Sequence, residues 1–307
     1  MNRPAQPIRR RDALVALLVT MLAPALALAA DSAKPAKDPH DRLIHLPGIA
    51  GARELDRQFV AGLHAGGYAG ESETYDWTAG DPGIASLLNR RRHEREADRV
   101  AARIRKLLTD DPAVKIRLVG HSGGAGIAAW ALERLPEHMQ VETLVFVAPA
   151  LSQRYDLSKA LAHVRGKAYA FVSPNDAIVL GAGTRLLGTI DGVKEEASGL
   201  RGFTKPEGAD DEQYEKLVAM PYTIEWLDLG NAGDHIGAMG ATFASEVISP
   251  IVQGRDPPAT RPAGDQGKSA GGAERTAKPA PDADEDDEDA PADASKEANS
   301  SRPPAAR

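Results

Sequence analysis

The chain has 307 residues, of which 42% are hydrophobic and 26% are charged, an ordinary composition for a soluble protein. Its formal net charge is −7, which argues against nucleic acid as a partner because phosphate binding needs clustered lysine and arginine. There is no cysteine, so disulfides and cysteine lipidation are excluded and the fold must be stabilised by its core alone.

Residues 1–30 have the pattern of an export signal. Four arginines precede an apolar run at residues 13–30, which ends in small residues typical of a cleavage site. Arg10 and Arg11 form a loose match to a twin-arginine signal, and Sec export fits equally well. The pattern predicts an exported protein, periplasmic or secreted, with no stable membrane span after cleavage.

The next residues are predicted to form a linker and then a single domain. Residues 31–41 are polar and contain proline, so we expect a linker there, and the domain proper is predicted at residues 42–253. Apolar runs and helical spacing predict the following order of elements: strand 43–46, helix 54–63, strand 68–77, helix 90–108, strand 114–119, helix 123–135, strands 141–148 and 167–172, a possible helix at 212–220, strand 222–229 and helix 241–251. Strands that alternate with helices indicate a parallel sheet with right-handed crossovers.

A motif in the middle of the chain combines a strand, a sharp turn and a helix. The β-branched and aliphatic run at 114–119 leads into the sequence GHSGG at residues 120–124, a match to G-x-S-x-G. An apolar stretch with helical spacing and many small residues follows, until Pro136 stops it. The glycines around Ser122 suit a strained turn at the apex. The arrangement resembles the nucleophile elbow of the α/β-hydrolases.

A second loop, at residues 47–51, follows the first predicted strand and contains two glycines. The resemblance implies that this loop supplies one backbone N–H of an oxyanion hole, here that of Ile49, with the N–H of Gly123 as its partner. A plain turn between a strand and a helix also favours glycine, so both interpretations stay open. Trp77 and the apolar residues at 84–88 are candidates for an acyl pocket or for ordinary core.

Two later loops carry an acid and a base. Asp176 and His235 each lie just past a predicted strand. Because the carboxyl ends of parallel strands converge on one edge of a sheet, these side chains are expected close to Ser122. Their order along the chain, serine, then acid, then histidine, is the order that the resemblance to α/β-hydrolases implies for a catalytic triad.

The sequence leaves an alternative for the acid but not for the histidine. His163 lies before a strand, at the wrong end of the sheet. Asp156 follows the preceding strand, a position that lipase-like members of the family use for the acid, and it stays open as an alternative to Asp176. Asp234 is adjacent to His235 and is interpreted as loop polarity.

The resemblance covers roughly residues 42–252 and is to secreted bacterial serine esterases and lipase-like enzymes. It implies an α/β-hydrolase fold with a mostly parallel sheet of about six strands and helices on both faces. The antiparallel hairpin that usually opens this fold is missing from the predicted elements. The segment at residues 150–162 is too short for a large inserted cap, so the site is open or covered only by residues 180–220.

The implied chemistry is acyl transfer from a small-molecule ester or a lipid. Ser122 would attack the carbonyl carbon, His235 would shuttle the proton, Asp176 would orient the imidazole, and the Ile49 and Gly123 N–H groups would stabilise the oxyanion. The resemblance implies no metal and no organic cofactor, and the oligomeric state stays open.

Two other functions stay open. A non-catalytic binding protein of the same fold is one, and the complete set of Ser122, Asp176 and His235 argues against it. A serine peptidase or thioesterase is the other, although no motif selects an amide or a thioester.

Residues 254–307 are rich in Pro, Ala and acidic residues without apolar periodicity, and we expect this tail to be disordered.

Overall fold

The computed structural model describes residues 37–256. Six strands form one sheet in the order β2-β1-β3-β4-β5-β6, and all five pairings are parallel. The strands are β1 (Asp38–Leu46), β2 (Gly70–Thr74), β3 (Lys115–His121), β4 (Thr143–Val147), β5 (Ala168–Val172) and β6 (Leu217–Pro221). The central strands β3, β4 and β5 are almost wholly buried, as parallel strands covered on both faces must be.

Helical segments follow the strands in the usual alternation. The α-helices are α1 (Glu54–Ala65), α2 (Ile84–Leu88), α3 (Arg90–Asp110), α4 (Gly123–Leu132), α5 (Ser158–Ala162), α6 (Thr184–Leu187), α7 (Ser198–Arg201), α8 (Asp211–Tyr214), α9 (Ala241–Phe243) and α10 (Ser249–Val252). Two π-helical stretches (Ala177–Gly183 and Ala244–Ile248) and two 3₁₀-helices (Ile224–Leu229 and Gly237–Met239) complete the set.

The sheet separates two hydrophobic cores. Alternate residues of each strand point to opposite faces. Ile44 therefore packs in a first core with residues of α3 and α4, whereas Leu43 packs in a second core with α1 and the helical residues 241–252. Helices thus cover both faces, and the predicted α/β-hydrolase fold is confirmed. Among residues 37–256 no antiparallel strand precedes β1, and only the short helix α5 lies between β4 and β5.

The order of the strands creates a switch point between β1 and β3. From β1 the chain moves outward to β2, and from β3 it moves in the other direction to β4. The connections after β1 and β3 thus run in opposite directions along the sheet. Such a reversal leaves a crevice at the carboxyl ends of the two strands, where open α/β sheets bind their ligands. Ile49 follows β1 and Ser122 follows β3, so the fold brings both candidates to this crevice.

The first strand begins earlier than predicted. Part of the segment interpreted as a linker, from Asp38 onward, belongs to β1. Asp41 is buried because its carboxylate pairs with the Arg117 guanidinium at 3.0 Å and accepts a hydrogen bond from the Tyr68 hydroxyl, also at 3.0 Å. A polar sequence that is satisfied by buried partners does not need the alternation of apolar residues by which strands are recognised.

The last strand was predicted in the wrong place. Residues 217–221 form β6, where a helix was expected at 212–220, and the predicted strand at 222–229 is largely a 3₁₀-helix. The segment is rich in β-branched and aromatic residues, but Trp226 is drawn into the second core, with its ring centroid 4.9 Å from that of Phe243. Tertiary packing therefore overrides the local preference for a strand.

The predictions for residues 1–36 and for most of the tail lie outside the described residues and stay predictions. Within residues 37–256, no helix combines the length and the apolar character that crossing a membrane requires.

Candidate active site

Ser122 occupies a strained turn between β3 and α4. Its backbone has φ 53° and ψ −120°, a left-handed conformation that residues other than glycine rarely adopt. Three backbone hydrogen bonds hold the turn: the Ser122 N–H donates to the Val147 carbonyl at 2.9 Å, and the Ser122 carbonyl accepts from the N–H groups of Ala125 and Ala150, each at 3.1 Å. The end of β4 therefore fixes the apex at which the hydroxyl is presented.

The glycines that flank Ser122 are required by close packing. A Cβ on Gly124 would lie 2.2 Å from the Leu46 carbonyl oxygen, and one on Gly120 would lie 2.6 Å from the Ala125 Cα. A Cβ on Gly123 would lie 2.9 Å from Cγ2 of Ile49. The elbow thus packs directly against the end of β1 and against the loop that follows it.

Ser122, His235 and Asp176 form a continuous chain of hydrogen bonds. His235 Nε2 lies 2.9 Å from Ser122 Oγ, and His235 Nδ1 lies 2.6 Å from Asp176 Oδ2. Asp176 is 3% exposed, whereas the His235 side chain is 17% exposed, so the acid is sequestered and the base can reach a substrate. The carboxylate accepts the Nδ1–H, which leaves the Nε2 lone pair free to accept the serine proton.

Asp156, the alternative acid, is engaged elsewhere. It is exposed, and its Oδ1 accepts hydrogen bonds from the N–H and the hydroxyl of Ser158 at 2.9 and 2.7 Å, at the start of α5. The residue therefore closes an Asx turn just before the helix. His163, which the sequence placed at the wrong end of the sheet, bonds through Nδ1 to the Met139 carbonyl at 2.8 Å.

Two backbone amides are available beside Ser122. The N–H of Gly123 is the first of α4 and has no partner within the helix. Within residues 37–256, neither this N–H nor that of Ile49 donates a hydrogen bond. Contact between Ile49 Cγ2 and the Cβ position of Gly123 places the two residues side by side.

The loop that carries Ile49 is held from the segment that follows β2. The Trp77 Nε1–H donates to the Pro47 carbonyl at 2.7 Å, and the Gly83 N–H donates to the Ile49 carbonyl at 2.6 Å. Asp76 adds a hydrogen bond from the Ala52 N–H at 3.2 Å. Trp77 is fully buried in the first core, and its Cζ2 would lie 3.2 Å from a Cβ on Gly123, so this core residue lies directly beside the elbow.

His121 supports the site and was missed by the sequence interpretation. Its Nε2–H donates to the His235 carbonyl at 3.1 Å, and the two rings lie 5.1 Å apart. A Cβ on Gly48 would lie 3.2 Å from its Nδ1, so the ring fills the space between the His235 loop and the Ile49 loop. Burial, with the nearby His235 adding to it, lowers the pKa of His121 to about 3. Its position next to Ser122 in the motif was the signal available in the sequence.

The buried neutral His121 gives a pH-dependent prediction. In the unfolded chain its pKa is that of a free histidine, so between about pH 6.5 and 3 the unfolded state binds a proton that the folded state does not. As the pH decreases below 6, we therefore expect His121 to lower the free energy of unfolding by up to about 1.4 kcal/mol per pH unit. Urea unfolding at pH 7, 5 and 4 measures it.

The matched comparison is His121→Asn. Because the variant lacks this proton uptake, the stability difference between wild type and variant should shrink as the pH falls. Burial also lowers the pKa of His93, but this contribution is the same in both proteins and cancels in the difference. A difference that stays constant from pH 7 to 4 would contradict the assignment.

Comparison with known proteins gives similarity to solved structures only. No protein-family model and no curated protein matches the sequence. Among solved structures, a cutinase-like protein from Cryptococcus sp. is 16% identical, with 73% of this chain and 99% of that chain covered and a TM-score of 0.38. An acetylxylan esterase is 13% identical, covers 71% and 98%, and has a TM-score of 0.42. Lipase B of Aspergillus fumigatus is 13% identical, with 74% and 56% covered and a TM-score of 0.46.

Proposed function

We propose that this chain is a serine hydrolase that cleaves carboxylic esters through an acyl-enzyme intermediate. The observation that carries the proposal is the hydrogen-bonded chain from Ser122 Oγ through His235 to the buried carboxylate of Asp176, with the serine at a strained turn on the carboxyl edge of the sheet. A serine hydroxyl is a weak nucleophile until a base removes its proton, and this arrangement supplies both the base and the group that orients it.

In the first half-reaction, Ser122 Oγ attacks the carbonyl carbon of the ester while His235 Nε2 accepts the hydroxyl proton. The tetrahedral intermediate collapses when His235 gives that proton to the departing alkoxide, which leaves as the alcohol. Water then attacks the acyl-serine while His235 accepts its proton, and His235 returns that proton to Ser122 Oγ as the carboxylic acid is released. Asp176 keeps the Nδ1–H tautomer and stabilises the imidazolium that forms in each step.

The negative charge on the carbonyl oxygen needs donors. The free N–H groups of Ile49 and Gly123 are the candidates, since they lie side by side and the second is at the positive end of α4. Removal of one such donor typically costs two to three orders of magnitude in kcat.

Labelling with a fluorophosphonate tests the proposal directly. An activated Ser122 displaces the fluoride and keeps the phosphonyl group, so we expect stoichiometric labelling of wild type and turnover of p-nitrophenyl acetate. Ser122→Ala should abolish both, while its far-UV circular dichroism and unfolding midpoint stay close to wild type. An unlabelled, folded wild-type protein that turns over no p-nitrophenyl ester would refute the enzyme and favour a binding protein.

A further inference from the structure

The reacting atoms lie between two different sides of the sheet. His121 points to the same face as Val119, two residues earlier on β3, and Val119 packs in the second core. The His235 ring lies against that of His121, so the base approaches Ser122 from the side of the second core. Ile190 and Trp77 pack in the first core. These two residues therefore flank Ser122 on the side away from the base.

The geometry of the tetrahedral intermediate assigns a role to each side. The carbonyl oxygen points at the N–H donors, and the alcohol oxygen must lie near His235 Nε2, which protonates it. Ser122 Oγ takes the third bond of the carbonyl carbon, so the fourth belongs to the acyl chain, which is thus directed away from His235. That direction leads to the surface formed by Ile49, Trp77 and Ile190.

This surface lies directly beside the oxyanion donors. A Cβ on Gly123 would lie 2.9 Å from Cγ2 of Ile49, 3.2 Å from Cδ1 of Ile190 and 3.2 Å from Cζ2 of Trp77. Three apolar side chains thus converge on the residue that carries one of the amides. An aliphatic acyl group is the part of an ester that suits such walls.

Ile190 fills the inner end of this surface. The residue is 2% exposed, and its Cγ2 would lie 2.5 Å from a Cβ on Gly126, so it rests on the glycine face of α4. Leu151 and Trp130 meet the same Gly126 position at 3.5 Å each, so the space beyond Ile190 is filled by core side chains.

The backbone holds Ile190 in this place. Its N–H donates to the Ala150 carbonyl at 2.9 Å, and the adjoining turn is closed by a hydrogen bond from the Thr189 N–H to the Val193 carbonyl at 2.8 Å. The Arg90 guanidinium reaches the Asp191 carbonyl at 3.4 Å and ties the turn to the start of α3. These hydrogen bonds hold the backbone at Ile190, and its buried side chain rests on α4.

We propose that Ile190 determines the length of acyl chain that the site accepts, and that it limits wild type to short acyl groups. The proposal rests on the proposed ester hydrolase. Removal of three carbons at Ile190 opens the space along Gly123 and Gly126 toward Leu151, in line with the direction of the acyl chain. Longer acyl groups then gain a binding surface that wild type fills with its own side chain.

The test compares kcat/KM for p-nitrophenyl acetate, butyrate and octanoate. We expect wild type to prefer butyrate to octanoate, and Ile190→Ala to raise the octanoate-to-butyrate ratio by about tenfold, the lower end of the effect of a single methylene group in an apolar pocket. Leu186→Ala is the matched control, because it removes as many carbons from the same segment at a side chain that is 73% exposed. It should leave the ratio unchanged.

The outcomes separate this proposal from the function on which it rests. A wild type that is labelled by fluorophosphonate, with an unchanged ratio in a folded Ile190→Ala, overturns the role of Ile190 and leaves the hydrolase intact. An equal change in Leu186→Ala also overturns it. If Ile190→Ala does not fold, Ile190→Val removes a single methyl group and should shift the ratio in the same direction by a smaller factor. An unchanged ratio in Ile190→Val would contradict the proposal.

Discussion

Asp176→Asn should lower kcat for p-nitrophenyl acetate by about four orders of magnitude. The asparagine is nearly the same size as the aspartate, so the buried site at the end of β5 stays filled. It carries no charge to stabilise the imidazolium, and its NH₂ group can turn toward His235 Nδ1 and favour the tautomer that protonates Nε2. In that tautomer His235 cannot accept the Ser122 proton.

The comparison that decides the acid is Asp156→Asn. The Asp156 carboxylate bonds only to Ser158 among the described residues, so its loss should cost about 1 kcal/mol of stability at most and leave kcat within about twofold. Steady-state kinetics of both variants, together with urea unfolding to verify the fold, provide the measurement. A loss of several orders of magnitude in Asp156→Asn, with Asp176→Asn active, would assign the acid to Asp156.

Gly124→Ala should destabilise the protein and abolish ester turnover together. In an ordinary helix, exchange of glycine for alanine stabilises by about 1 kcal/mol. Here the new Cβ would lie 2.2 Å from the Leu46 carbonyl oxygen and 2.5 Å from that of Pro47. Both atoms belong to backbone, which cannot move aside without shifting the Ile49 loop. The clash reverses the sign, and we expect a loss of about 3 kcal/mol in the free energy of unfolding.

A matched glycine serves as the control for that experiment. A Cβ on Gly181 would lie 3.6 Å from its nearest neighbour, which is ordinary van der Waals contact, and Gly181 does not have positive φ. Gly181→Ala should therefore not destabilise the protein, and its place in the helical stretch 177–183 favours a gain of up to about 1 kcal/mol in the free energy of unfolding. Urea unfolding and p-nitrophenyl acetate turnover of both variants measure the effects. Wild-type stability and kcat in Gly124→Ala would show that the elbow does not need its close contact with β1.

The elbow was predictable because its signals are local. Strand, glycine-flanked turn and small-residue helix follow one another within a single stretch, and each has a steric reason that a sequence displays. The end of β5, which Asp176 follows, was predictable for a similar reason, since β5 is a short apolar run with a clear end. The position of Asp156 relative to His235 depends on where a separate loop goes, and no local pattern encodes that.

The sequence predicts His235 at the carboxyl edge of the sheet, but from a strand at the wrong residues. The strand expected immediately before it is a 3₁₀-helix, and β6 lies earlier. The residue still follows the last strand, so its general location survives the error. Trp226 caused the error, because a tryptophan within an apolar run favours a strand locally, whereas the second core recruits it. His121 was overlooked because its role depends on a backbone carbonyl far away in sequence.

The long sequence separation between Ser122 and His235 has a consequence for folding. The Ser122–His235 hydrogen bond joins residues 113 positions apart, and His235 lies beyond the edge strand that is last along the chain. Contacts of such long range impose a large loop-closure entropy, so they are costly to form early in folding. During refolding, helical circular dichroism follows the short-range structure of segments such as α3, while ester turnover by the proposed hydrolase requires that His235 has reached Ser122. Turnover would thus serve as a kinetic reporter for the docking of β6 and the segment after it.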